Sequence, residues 1–284
     1  MPLKAILNSF IAGLVSCILA IGFKYIGIYL VLLSYFSSLP FFIICFYYGF
    51  TGLLFSGLIS VFIMSYITSL YVGIMFCFIN ILPVSIILLN KTKNKFNYLN
   101  FISKLTLANS IIFITFSFIY KDEIKIITKD LTEYFSQNLK SNITIDQSLL
   151  DLAPSILIFS WSIILILNLI ISRVIITKYF KNFVNFSDKI INLQLQKWLI
   201  ALFIFFLIPA SILSPENGTW FRSLALIYAI PITIQGLCTL HTLFKKKKMG
   251  NVLIYTFYSI IFIIPLTLPL ITAIGVLEHI YNFR

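Results

Sequence analysis

Long apolar runs alternate along this chain with short basic stretches. The runs are Ala5 to Phe23, Ile26 to Tyr48, Gly49 to Ser69, Leu70 to Leu89, Leu105 to Tyr120, Ala153 to Thr177, Trp198 to Leu213, Trp220 to Phe244 and Met249 to Val276. Most lie close to the ~20 residues that a helix needs to cross a bilayer. They are apolar on every face rather than along one stripe, and they lack the period-two alternation of barrel strands. The pattern predicts an all-α, polytopic membrane protein with about nine transmembrane helices, eight at the least.

Proline and glycine punctuate the runs. Ser37-Ser38-Leu39-Pro40 interrupts the second one, and Pro40 removes a backbone donor there, so 26–48 reads as one helix or as two half-helices. Pro231, Pro265 and Pro269 predict kinks. Ser214-Pro215-Glu216-Asn217-Gly218 predicts a tight turn. The one substantial polar segment, 121–152, divides the chain into an N-terminal bundle (1–120, about five spans) and a C-terminal bundle (153–284, about four spans). Ile126, Ile127, Leu131 and Phe135 recur there at helical spacing, as on an amphipathic helix lying on a membrane surface.

The basic stretches orient the spans. Lys245-Lys246-Lys247-Lys248 cannot cross hydrocarbon cheaply, and short basic loops stay on the cytoplasmic side. With nine spans this puts the N-terminus inside and the C-terminus outside. Fourteen of the 21 bases then lie inside against one acid, Asp188, and seven lie outside against eight of the nine acids. Trp198 and Trp220 fall at span ends, where amphipathic rings prefer to lie.

Composition narrows the class further. Charged residues make up 11% of the 284, against about a quarter in soluble domains, too few to cover a water-soluble globule. The net charge of +12 does not point to nucleic acid, because the bases sit in short loops rather than on one soluble face. They serve as topology signals, with anionic lipid as a partner. Cys17, Cys45, Cys77 and Cys238 stand isolated in apolar stretches, which argues against a metal site or a disulfide framework. Leu14-Val15-Ser16-Cys17 has the form of a lipoprotein cleavage site, but the sequence after it stays apolar, so the first run reads as a retained span. The Ile-, Lys-, Asn- and Phe-rich usage suggests an AT-rich bacterial genome and a bacterial inner membrane.

Few residues inside the runs carry chemistry. The first run has small residues four apart in two rows, Ser9, Gly13, Cys17 and Ala12, Ser16, Ala20, and the third repeats the device with Gly52, Ser56 and Ser60. Such rows let helices approach closely, either within the chain or against a partner subunit. Polar residues at membrane depth include Asn8, Asn80, Asn109, Asn168 and Gln235. These are either helix–helix hydrogen bonds or the lining of a solute site. Asn80 lies three residues before Pro83, where its amide would cap a freed carbonyl or meet a ligand. Tyr228 and Gln235, seven apart, share a face. His241 lies one turn before the lysine run, as an interfacial hydrogen-bonder or a proton relay. No H-E-x-x-H, G-x-S-x-G or Walker pattern occurs. The expectation is therefore no enzymatic activity, no cofactor and no metal.

Several motifs of the C-terminal third carry a resemblance. They are Leu193 to Trp198, Asn217-Gly218-Thr219-Trp220-Phe221-Arg222, Pro231 with Gln235-Gly236-Leu237 and His241, the basic loop, and the close from Ile274 to Arg284. Together they are similar to the YybS-like family of bacterial multi-pass membrane proteins, placed near the substrate-capturing S-components of energy-coupling-factor transporters. The close departs from the family, with Glu278-His279-Ile280 where relatives carry Asp-Gln-Trp. The resemblance implies an uptake subunit that docks on an energising subunit through Ala12, Ser16 and Ala20, with the loop from Lys24 to Pro40 as a lid. The alternative is a non-transporting membrane scaffold that presents 121–152 to its partner.

Overall fold

The computed structural model describes residues 3–27, 31–88, 95–119, 150–179, 185–186, 190–247, 250–263 and 267–283. Its helices are α1 (Leu3–Ile26), α2 (Val31–Ser34), α3 (Leu39–Ile67), α4 (Leu70–Phe76), α5 (Leu82–Ser85), α6 (Tyr98–Ile119), α7 (Ala153–Tyr179), α8 (Lys197–Ile212), α9 (Pro215–Lys246), α10 (Asn251–Ile263) and α11 (Leu268–Tyr281). A π-helical turn, Cys77–Ile81, joins α4 to α5, and a 3₁₀ turn, Ile190–Asn192, precedes α8. The strand structure among the described residues is one parallel pair of two residues each, β1 (Lys95–Phe96) with β2 (Asn185–Phe186). Five segments are long and apolar enough to cross a membrane: Leu3–Gly22, Val31–Ile67, Tyr98–Ile119, Ala153–Tyr179 and Asn217–Lys246. Four shorter apolar helical segments accompany them. The amphipathic helix expected from Ile126 to Phe135, and the lid residues 28–30, lie outside the described residues.

The chain forms two compact units that interleave along the sequence. Unit 1 comprises 1–101 and 162–188, and unit 2 comprises 102–161 and 189–284. The boundaries fall within α6, within α7 and between residues 188 and 189.

In unit 1, α3 is two legs rather than one rod. Gly49 has φ 67° and ψ −146°, a conformation open to glycine and costly for other residues. Eight residues of continuous helix would separate Ile44 from Gly52 by roughly 12 Å. Instead the Ile44 carbonyl lies 3.4 Å from where a Gly52 Cβ would be. The chain therefore folds back at Gly49, and 39–48 and 50–67 run antiparallel. This is where the sequence reading ends one apolar run and begins the next.

α1 packs against both legs. Asn8 donates to the Tyr48 hydroxyl at 2.7 Å, and Ser16 donates to the Ser37 carbonyl, so α1 runs antiparallel to the first leg. Ser60 donates to the Gly13 carbonyl at 3.3 Å, and the Cys17 thiol donates to the Ser60 carbonyl at 3.4 Å, so α1 runs parallel to the second. The row Ser9-Gly13-Cys17 thus meets the row Ser56-Ser60, as helices in lipid do when small residues let their backbones close in. A Cβ on Gly13 would stand only 2.7 Å from the Ser56 carbonyl. The fourth run returns along the second leg, with Gly73 against Val61 and Ser65 and Gly57 against Ile81. Phe42, Phe46, Phe96 and Phe101, all buried, pack together near β1, edge to face in the pairs Phe42–Phe101 and Phe46–Phe96 and tilted between Phe96 and Phe101.

In unit 2, α9 is the longest helix at 32 residues. The expected turn at 214–218 is confined to Ser214, because Pro215, with its φ preset and no N–H to satisfy, starts α9 at once. Arg222 donates to the Ala210 and Leu213 carbonyls at 3.1 and 3.2 Å, covering acceptors that α8 leaves free at its C-terminal end. The last apolar run contains α10 and α11, with Pro269 in the first turn of α11, while Pro265, where a kink is expected, lies outside the described residues. Both helices lie antiparallel to α9. Phe257 of α10 meets Phe244, and Gly275 of α11 meets Ile232. The closest approach is at Gly236 and Gly275, where an added Cβ would overlap the Ile271 and Ile232 carbonyl oxygens respectively.

α6 begins at Tyr98, earlier than the Leu105 start of the apolar run. Tyr98, Phe101, Ile102 and Leu105 are buried at helical spacing, while Lys104 between them is exposed. Those first two turns are amphipathic, so a criterion of uniform apolarity passes over them.

Candidate functional site

The interrupted segment of unit 1 gathers its polar side chains. Leu39 N–H, which in a continuous α-helix would reach the Tyr35 carbonyl, bonds instead to Phe36 O at 3.0 Å. Pro40 has no N–H to offer the Phe36 carbonyl, so the shift satisfies one acceptor and exposes another. Asn168 of α7 takes up the exposed one, with its Nδ2 donating to Tyr35 O at 2.7 Å and to Ser38 Oγ at 2.8 Å. Asn80 accepts from Ser37 Oγ at 2.9 Å and donates to Phe76 O at 3.4 Å. With Ser16 on the Ser37 carbonyl, three separate stretches of chain supply side chains to one turn.

All five polar side chains here are buried: Ser16, Ser37, Ser38, Asn80 and Asn168. The cluster carries no ionisable group. Its geometry also orients the Asn168 amide, because a backbone carbonyl only accepts and the nitrogen must face Tyr35 O. Asn168 Oδ1 then points elsewhere, and no donor among the described residues reaches it, although Asn168 is 1% exposed. A buried acceptor left without a donor costs about 1–3 kcal/mol. Asn80 sits in the π-helical turn, an irregularity frequent at functional sites. Pro83 follows in the first turn of α5. The amide of Asn80 serves Ser37 and Phe76.

Unit 1 also has an apolar groove lined by Leu14, Cys17, Ile18, Ile21, Ile63 and Ile67. Its lining offers nothing to orient a polar ligand.

The other sequence candidates have structural engagements in unit 2. Gln235 is 1% exposed; its Oε1 accepts from Leu195 N–H at 3.1 Å and its Nε2 donates to Gly275 O at 3.4 Å. It joins the approach to α8 and the close crossing with α11. Tyr228 is buried and stacks on Phe206, with centroids 5.4 Å apart. His241 Nδ1 lies 3.1 Å from the Tyr258 hydroxyl. Thr233 and Thr272 share a buried hydrogen bond of 2.6 Å, which the sequence reading missed. The available signal was two threonines inside apolar runs, and threonine is too common there to stand out.

Of the docking row, Ala12 and Ser16 are buried in unit 1 and Ala20 is half-buried. The outward side of α1 carries Leu7, Ile11, Val15 and Ile18. Arg173 donates to the Tyr98 hydroxyl at 3.1 Å with its guanidinium 5.3 Å from the ring centroid. Glu278, 2% exposed, accepts from Phe283 N–H at 3.0 Å.

No curated protein and no solved structure matches the chain. Residues 139–278 match the family model described as "Predicted membrane protein (DUF2232)", a stretch that includes α7 to α10 and most of α11. Helical architecture, apolar segments of spanning length and this match together make the chain a helical membrane protein.

Proposed function

We propose that this protein binds a small polar solute in unit 1, at the turn 35–38 between Asn80 and Asn168, without covalent chemistry. The observation that carries the reading is Asn168 Oδ1, a buried acceptor with no donor among the described residues beside an interrupted helix. Irregular backbone at membrane depth is tolerated where it is buried in protein or lines a cavity, and broken helices in transporters hold solutes there. The resemblance of the C-terminal motifs to the YybS-like family and to S-components supports reading it as a membrane subunit for uptake in a bacterial inner membrane, dependent on a separate energising subunit. That partner meets the outward side of α1 at Leu7, Ile11 and Ile18, because Ala12 and Ser16 face inward.

Native mass spectrometry of the full chain extracted from its own membrane tests this reading. The wild type is expected to retain a small-molecule adduct that Asn168→Ala and Asn80→Ala lose. An adduct held equally by both variants would move the site elsewhere. A wild type that carries no adduct, and whose melting temperature no solute in a panel of amino acids and water-soluble vitamins shifts, would end the solute reading.

A further inference from the structure

Trp220 and the lysine run measure the membrane against α9. From Trp220, whose ring packs on Phe118 and Phe113, 21 helical steps lead to His241, roughly 32 Å along the axis. That is about the thickness of the hydrocarbon core. With Trp220 at one interface, where tryptophan collects, the other falls at His241. The side chains there fit that level. His241 pairs with Tyr258, and Phe244, Phe257 and Tyr258 form a connected aromatic group. Lys245, Lys246 and Lys247 follow directly, all exposed.

Among the described residues these ammonium groups have no counter-charge. The sequence has no carboxylate between Glu216 and Glu278, and none of the three lysines makes an ion pair among the described residues. The negative end of the α9 dipole accounts for one or two cations in the last turn, and Lys245 and Lys246 occupy that turn. It gives no reason for a run of four like charges, which repel one another unless an anion sits among them.

We propose that the end of α9 is a binding surface for anionic phospholipid headgroups, with Lys245, Lys246 and Lys247 clasping phosphates at the depth set by His241 and Tyr258. Clusters of lysine directly beyond a membrane helix attract anionic lipid through summed Coulomb attraction, which salt screens. This surface is independent of the solute site in unit 1.

The test uses the full chain in nanodiscs of phosphatidylglycerol and phosphatidylcholine in equal parts, with retained lipid read by native mass spectrometry. The wild type is expected to retain phosphatidylglycerol over phosphatidylcholine by about tenfold or more. Joint K245Q, K246Q, K247Q and K248Q substitution should abolish the preference, and four arginines should keep it. Because lysines also set topology, the wild type is measured as well at about 50 and about 500 mM NaCl, where the preference should shrink several-fold. A preference untouched by the glutamines, or indifferent to salt, would overturn the proposal. Displacement of the lipid by inorganic phosphate would overturn it too, because the site would then be one for free phosphate.

Discussion

Asn168 and Tyr35 stand 133 residues apart in the chain, yet the side-chain amide of one donates to the backbone carbonyl of the other at 2.7 Å. The bond replaces the helical donor that Tyr35 O loses when Leu39 N–H turns to Phe36 O. A local proline effect is thereby made good by a distant helix.

Asn168→Leu removes both donated bonds and strands the Tyr35 carbonyl. A single interhelical hydrogen bond in a membrane protein averages about 0.6 kcal/mol. Here two bonds are lost and a buried carbonyl is left bare, so the expected destabilisation is about 1–3 kcal/mol. Denaturant unfolding in detergent measures it, and a wild-type midpoint would show that the amide does not hold the turn.

Gly49→Ala should destabilise unit 1 by about 1–3 kcal/mol through backbone conformation alone. No heavy atom lies within 4 Å of the added methyl, so crowding contributes nothing. If thermal melting shows no loss, 39–48 and 50–67 do not depend on that dihedral for their fold-back.

Gly236→Ala and Gly275→Ala push a methyl into a facing backbone carbonyl, which cannot rotate aside as a side chain can. Each is expected to lower stability by about 1–3 kcal/mol or more. Gly22→Ala is the control: it is helical with nothing within 4 Å, and gains about 0.5–1 kcal/mol of helix preference. Equal melting temperatures for all three variants would refute the close crossing of α9 and α11.

The inside-out assignment predicts which loops an impermeant thiol reagent reaches in intact cells. In a background freed of the four native cysteines, Lys93→Cys and Lys247→Cys should stay unlabelled and Lys140→Cys should be labelled. The reverse pattern would invert the orientation.

How far the sequence could be read depended on the range of the physics involved. The runs were visible because a bilayer demands length and uniform apolarity from each helix by itself. Even the fold-back at Gly49 and the break before Pro40 showed, since glycine and proline act on their own backbone. The start of α6 at Tyr98 did not show, because one-sided burial there mimics a polar loop with Lys104 in it.

The candidate site was legible only as a set of names. Asn80 and Asn168 stood out as amides in apolar runs, but nothing local assigns them Ser37, Ser38 and Tyr35 as partners. Ser16 belonged to a small-residue row that reads equally well as packing or docking; its burial on the Ser37 carbonyl decides where it faces. The same holds for Gly236 and Gly275, unremarkable until α9 and α11 cross there. Helix formation in lipid is settled within each segment, where every backbone group must find its partner. Which helix meets which depends on shape and on leftover hydrogen-bonding groups distributed over the whole chain, and only the tertiary structure brings those together.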